Sequence, residues 1–429
     1  MQTLWEGAMT IAKRWRYLLC FTLFGLPAAP ALTESGHVHP LADALLRDSE
    51  VTLHFRSHYL NRPRRHQPDS LAWAAGGWVG YRSGWLGDTL RIGLTGNTSQ
   101  KLHGPADKDG AALLLTDQRS YQVMGEAYGA LKLADQVLTA GRFIVNQFEV
   151  NPQDTRMTPR SFRGAALNGK VQGVDYYLAR FDQMKSRNWD NFEPIAFVVG
   201  APQVDSPLYL LSLRGKSGED WSWGFATYHV PDLLTSSFAE GAWTTPLSGD
   251  TRLRLGGQLF RQGSIGRHAL TGSDFETGTI GLKADLLHGP FTLSAIVMQT
   301  DRGAAYRMPF GSWPGYASRI INNFNRAGER VHAIDAAVDF ARLGTPGLSM
   351  NASATFGTRA INANSGARLS ENREFNVTAD YRFTAAHWPE WSRPLALRAR
   401  AARFEQRWGG PTDVTKEYHL ILNYTVTFK

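Results

Sequence analysis

Along most of this chain apolar and polar residues take turns. Near the C-terminus Tyr418, Leu420, Leu422, Tyr424, Val426 and Phe428 share one parity, and His419, Asn423, Thr425 and Thr427 the other, with Ile421 the exception. A β-strand points successive side chains to opposite faces, so the pattern predicts a strand with one apolar and one polar face. The alternation recurs upstream. Val51, Leu53, Phe55 and Tyr59 oppose Thr52, His54, Arg56 and His58, and Leu90, Ile92 and Leu94 oppose Arg91, Gly93 and Thr95. Leu253, Leu255 and Leu259 oppose Arg252, Arg254 and Gln258. Phe375, Val377, Ala379, Tyr381 and Phe383 oppose Asn376, Thr378, Asp380 and Arg382, while Leu395, Leu397, Ala399 and Ala401 oppose Arg398 and Arg400. No helical stretch separates these segments.

Period two alone fits either a soluble sandwich, with the apolar face inward, or a membrane barrel, with it outward. Three features favour the barrel. The strands run the whole length of a 429-residue chain, too long for one sandwich. Many apolar faces end in Tyr, Phe or Trp, as membrane-interface girdles do. The third feature is an export signal: Lys13, Arg14 and Arg16 precede an apolar run from Tyr17 to Leu26, and Ala29-Pro30-Ala31 offers small residues for cleavage. Residues 1–31 are therefore expected to be a signal peptide, with Met1 and Met9 as alternative starts, and 32–429 one barrel domain. Mean hydropathy is −0.30, and past the first ~30 residues no apolar run approaches the roughly 20 that a spanning helix needs.

Cleavage after Ala31 would remove Cys20, the one cysteine, leaving neither disulfides nor thiolate ligands. Residues 32 to about 50 are too few for a plug domain. Short turns such as Gly87-Asp88, Gly289-Pro290 and Gly344-Thr345-Pro346-Gly347 alternate with longer irregular stretches. The long loops are expected at Gly96–Ser120, Phe148–Gly169, Ser186–Ser206, Pro231–Pro246, Gly263–Phe275, Gly303–Glu329 and Arg359–Asn372.

The segment NPQDTRMTPRSFRG, from Asn151 to Gly164, is similar to the third loop of the OprD family of outer-membrane porins. Three further segments resemble that family in the same order: LHFRSHYLNR from Leu53, AGERVHAIDAAVDFARLGTPGLS from Ala327, and LALRARAARFEQRW from Leu395. The resemblance spans the mature chain. It implies an all-β fold: a monomeric, antiparallel transmembrane barrel of 18 strands, narrowed by inward-folded third and seventh loops, with a ladder of basic residues guiding anionic groups.

Net charge is +8, and ten Lys stand against 36 Arg. In a cytosolic protein such an excess would suggest nucleic-acid binding; export removes most of that case. Planar guanidinium suits bidentate contact with carboxylates. The expected lumen-facing rungs are Arg56, Arg91, Lys132, Arg382, Arg398 and Arg400. Arg156, Arg160 and Arg163, with Pro159 stiffening the backbone, are expected in the third-loop constriction. Any one of these arginines has a plainer role open to it, as half of an ion pair with an inward Asp such as Asp335, Asp339 or Asp380. Tyr306, Phe310, Trp313, Tyr316 and Phe324 shape the seventh loop's constriction, stack on a ring-bearing solute, or pack that loop on itself.

No metal-ligand spacing or phosphate loop occurs, no cofactor is called for, and no spacing nominates a catalytic nucleophile. The expected partners are outer-membrane lipid and lipopolysaccharide, together with small anionic or zwitterionic solutes. The leading expectation is passive diffusion of amino acids, short peptides or aromatic and organic acids. Three alternatives stay open: uptake of chito-oligosaccharide-type sugars, which needs aromatics in sequence along the lumen; a barrel hydrolase, which needs Ser and His on the lipid face; and an adhesion barrel, which leaves the inward arginine rows unexplained.

Overall fold

The computed structural model describes residues 40–407 and 412–429; the expected signal peptide lies outside the described residues. Eighteen long strands occur among them: β1 (Glu50–Arg62), β2 (Ser70–Arg82), β3 (Leu90–His103), β4 (Tyr121–Leu133), β5 (Gln136–Phe143), β6 (Ser161–Val171) and β7 (Val174–Lys185); after a two-residue strand, β8 (Glu193–Pro194), come β9 (Leu208–Ser217), β10 (Trp221–Val230), β11 (Leu234–Ser248), β12 (Thr251–Ser264), β13 (Glu276–His288) and β14 (Phe291–Thr300); and finally β15 (Arg330–Asp339), β16 (Leu348–Thr358), β17 (Glu371–Arg382), β18 (Leu395–Arg407) and β19 (Asp413–Phe428). Each long strand pairs antiparallel with the next, β7 directly with β9. The ring closes between β1 and β19, in register from Val51↔Phe428 to Asn61↔Tyr418. Closure gives each of the eighteen long strands two neighbours, so their backbones present no open edge to hydrocarbon.

The burial pattern settles the choice that period two left open. Leu53 and Phe55 are exposed while Arg56 and His58 are buried, and Leu259, Leu282, Ile334 and Leu420 are all exposed. The apolar faces look outward to lipid. Ile421 points into the lumen and is buried there, as its parity requires. Trp221 and Trp243 sit opposite each other on β10 and β11 with ring centroids 6.2 Å apart, outward at one rim.

At that rim the connections are mostly tight, including 134–135, 172–173, 218–220, 249–250 and 289–290, and the barrel's first and last residues lie there too. The other rim carries the long ones: L2 (104–120), L3 (144–160), L4 (186–207), 265–275, L7 (301–329) and 359–370. In barrels of this kind the short turns face the periplasm. Gly77 supplies a bend inside β2: its φ is 123°, and an added Cβ would come within 2.0 Å of the His54 carbonyl oxygen.

Three expected loops need correction. The one expected from Gly96 begins only at residue 104, because β3 runs on to His103. Only residues 231–233 link β10 to β11, and most of the expected loop Pro231–Pro246 is strand. On β11 the apolar Leu234 and Phe238 turn inward, and the lipid face is Thr235, Ser237, Ala239 and Gly241, so the usual signal is reversed and weak. The third loop also ends earlier than expected, at residue 160, because β6 begins at Ser161.

Inside the barrel, L3, L4 and L7 pack against the wall. Phe143, Phe162 and Phe181 from the wall meet Val150 of L3, Ile195 of L4 and Phe310 of L7 in one buried cluster. A second joins Tyr306, Trp313 and Phe324 of L7 to Phe238, Phe260 and Phe404 of the wall. A third sets Leu113 and Leu114 of L2 and Met157 of L3 against Leu60 and Ala72.

Candidate functional site: the arginine-lined lumen

The third loop reaches the lumen because the wall holds it there. Arg56 of β1 donates to both Asp154 carboxylate oxygens, at 2.6 and 3.1 Å, to the Arg156 carbonyl at 2.6 Å, and to Asn423 at 2.8 Å. Lys185, at the end of β7, donates to the Pro159 carbonyl at 2.9 Å. The third loop in turn grips the seventh. Asn151 donates to the Ser312 carbonyl and accepts from its amide, both at 2.8 Å, and Arg160 donates to the Pro309 carbonyl at 3.1 Å.

A buried carboxyl completes this latch. Glu149 of L3 accepts from the Tyr306 hydroxyl of L7 at 2.5 Å and from Ser236 of β11 at 3.2 Å. Burial, only partly offset by these two donors, raises its pKa to about 7.

What the loops leave open is a cavity of about 760 Å³. Six cationic residues line it, Arg62, Arg156, Arg187, Lys283, Arg319 and Arg400, against two carboxylates, Glu417 and Asp335. Glu417 is already engaged: it accepts from Arg62 at 2.5 Å and lies 2.6 Å from His419 Nε2, whose Nδ1 is 2.9 Å from His58. Asp335 accepts from Arg319 at 2.8 Å. Arg156 donates to the Ala111 carbonyl at 2.9 Å and is 3.9 Å from Glu417, and Arg187 donates to Thr155 at 2.6 Å. Burial, followed by neighbouring cations, lowers Arg156 to about 9 and Arg187 to about 10; both stay protonated at neutral pH. Arg400 has no hydrogen-bond acceptor among the described residues, and its Nε is buried without a partner. A desolvated cluster with excess positive charge gains when an anion enters.

The expected rungs divide by position. Arg400 faces the cavity, with Arg398 two residues nearer the periplasm on the same face of β18. Arg398 pairs with Asp380 at 2.5 and 3.1 Å, leaving it half-exposed. Arg382 and Lys132 have lumen parity at the short-turn rim, and Arg91, near the same rim, stacks its guanidinium 4.2 Å from the Trp85 ring centroid. Arg56 is a loop anchor already saturated by Asp154. Of the third-loop set, Arg156 lines the cavity, and Arg160, half-buried, does not. Arg163 does not belong to the loop: it sits on β6 pointing to lipid, donating to Gln183 at 3.0 Å. In L7, Tyr306, Phe310 and Phe324 are packed away, Tyr316 lies outside this cavity, and Trp313 is the one aromatic side chain of Phe, Tyr or Trp type lining it.

Arg62, Arg187, Lys283 and Arg319 complete the site without having been expected. Parity carried a signal for Arg62, which continues the inward row Arg56, His58, Leu60. Arg187 and Arg319 belong to loops whose path no periodicity reveals.

Residues 43–428 match the family model described as outer membrane porin, OprD family. No curated protein matches the sequence significantly. The fold is similar to that of Pseudomonas aeruginosa OccK9 (OpdG), with a TM-score of 0.79 and 23% identity over 90% of this chain and 100% of that one. P. aeruginosa OpdK, in a structure with vanillate, gives 0.78 at 21% identity, over 90% of this chain and 100% of that one. A BenF-like porin from Pseudomonas fluorescens Pf-5 gives 0.78 at 18%, with the same coverages.

Proposed function

The chain belongs to the OprD family of outer-membrane porins, and from that premise we propose that its pore passes small carboxylate-bearing solutes: amino acids, short peptides, or aromatic and organic acids. The observation that carries this reading is the imbalance at the cavity, six cations to two carboxylates that are both already paired. A solute carboxylate finds in Arg400 a guanidinium with unspent donors, and beside it Arg187, with no carboxylate partner among the described residues, and Arg156, which shares Glu417 with Arg62. The low-dielectric, narrow setting makes each contact count for more than it would in bulk water. Release toward the periplasm then passes along Arg398 and Arg382, where water and Asp380 weaken the hold. Binding that is modest and repeated lets the solute leave.

The vanillate found with OpdK is an aromatic carboxylate, in keeping with this class. An oligosaccharide track would need a row of aromatic faces, and among the cavity-lining residues Trp313 stands alone. The barrel closes within one chain and its own loops shape the cavity, so the pore is proposed to work as a monomer, exported by the segment 1–31.

Single-channel recording of the refolded barrel tests the reading. Small carboxylates are expected to interrupt the current transiently while neutral sugars do not, and Arg400→Ala is expected to weaken the interruption. Equal block by sugars, or block unchanged in Arg400→Ala, would overturn the carboxylate assignment and leave the family membership untouched.

A further inference from the structure

Most outward-facing arginines on the strands toward the long-loop rim have a carboxylate beside them. Arg261 pairs with Glu276, Arg403 with Glu405 at 2.8 Å, Arg180 with Asp182 at 2.7 Å and Arg373 with Glu371 at 4.0 Å. Arg330 on β15 breaks this habit singly, donating to Gln299 at 3.0 Å, and one directly opposed pair breaks it together. Arg142 on β5 and Arg163 on β6 are directly opposed in the antiparallel register, on the lipid side. Directly opposed residues bring their Cβ atoms to within roughly 5.5 Å, where like charges repel. Neither has a carboxylate partner among the described residues: Arg163 donates to the Gln183 side chain at 3.0 Å, and Arg142 lies 4.6 Å from the Phe192 ring centroid.

The surface on the membrane side of this pair is also distinctive. The next outward positions are Ala140 and Ala165, opposed to each other, and beyond them Leu138 and Leu167. The small Ala165 leaves a lipid-facing groove of about 490 Å³, walled by Leu138, Leu167, Leu178 and Leu211, flanked by Arg180 in its pair with Asp182, and reaching Tyr209 and His229. Strand geometry places it about 7 Å below the guanidiniums. An uncompensated double positive charge at the outer headgroup level thus caps a groove fitted to a hydrocarbon chain.

We propose that Arg142 and Arg163 bind a phosphate of lipid A from the outer leaflet, with one of its acyl chains lying in the groove over Ala165. Guanidinium and phosphate form paired, charge-assisted hydrogen bonds, and a dianionic phosphate between the two arginines turns their repulsion into a bridge. Neutral lipid offers the groove a chain but nothing for the arginines. Phosphatidylglycerol offers a single diester charge, short of what two uncompensated guanidiniums take up.

The test is native mass spectrometry of the full barrel in detergent, titrated with bisphosphorylated lipid A, dephosphorylated lipid A or phosphatidylglycerol. One tightly retained bisphosphorylated lipid A is expected, with at least tenfold weaker retention of the other two lipids. The double variant Arg142→Gln with Arg163→Gln is expected to lose tenfold or more in lipid A retention, and Arg403→Gln to lose none. Ala165→Trp fills the groove and leaves both arginines in place; it too is expected to weaken retention. Folding is checked by heat-modifiable mobility and by unchanged conductance, since none of these side chains faces the pore. Should the double variant fold poorly, Arg163→Gln alone removes only the bond to Gln183 and carries the test. Retention unchanged in these variants, or equal for lipids without monoester phosphate, would overturn the proposal.

Discussion

Arg56 and Asp154 meet through two parallel hydrogen bonds, at 2.6 and 3.1 Å, that tie the first strand to the tip of the third loop. The arginine is buried, and its remaining donors reach Asn423 and the Arg156 carbonyl. The pair therefore fixes where Arg156 stands in the lumen. Asp154→Asn leaves a buried guanidinium short of charge compensation, costing about 1–3 kcal/mol of loop stability. The expected outcome is a noisier current with longer-lived high-conductance openings in single-channel records. Arg56→Lys, which keeps the charge and loses the fork, is expected to restore little.

Asp380 cancels Arg398 in the periplasmic half of the pore. The pair is half-exposed, so it contributes at most about 1 kcal/mol to stability, and Asp380→Asn is expected to fold normally. Freed of its partner, Arg398 strengthens the positive field, shifting the reversal potential in a salt gradient toward anions and lengthening carboxylate dwell times severalfold. Arg398→Gln is expected to shift both the other way.

Glu149 gives the latch between the loops a pH dependence. Its folded pKa, about 7, lies above the ordinary value of 4.5. The neutral form is the one burial favours, so the stabilisation it lends is complete below about pH 4.5 and is lost as pH rises through about 7. The total is on the order of 3 kcal/mol. Current noise from loop opening is expected to grow between pH 6 and pH 8. Glu149→Gln, permanently neutral, is expected to keep the quiet trace at both; a variant as pH-sensitive as the parent would show that another group drives the change.

Gly77 sets a limit on the wall itself. A side chain there would need a positive φ and would collide with the His54 carbonyl. Gly77→Val is expected to cost about 3 kcal/mol or more, visible as a lower yield of the compact, heat-modifiable form on refolding.

The parts of the fold legible in the sequence were those where lipid does the sorting. On β1 and β19 the outward face must be apolar and the inward face is wet, so parity names both, and even Ile421 is placed correctly by its neighbours. β11 was not legible because its inner face packs against the loops. There Leu234 and Phe238 turn inward, small residues face lipid, and the segment reads as a loop. Arg163 was misplaced because the third loop was expected to run on to Gly169, whereas β6 begins at Ser161 and carries Arg163 to the membrane surface. Arg187 and Arg319 reach the cavity through tertiary contacts of L4 and L7, which leave no period to read.

The large apolar cluster of Phe143, Phe162, Phe181 and Phe310 fills the lumen against β5 to β11. The cavity lined by Arg400 is therefore eccentric, running beside β13 to β19 and the end of β1. A second lumen cavity, of about 540 Å³, lies against the other wall between β6 and β12, lined by Arg214, Lys216 and Arg254. At the level of the buried loops, then, the staves divide their labour: one half of the wall leaves its charges open to the cavity, and the other carries the ballast that stiffens the loops shaping it.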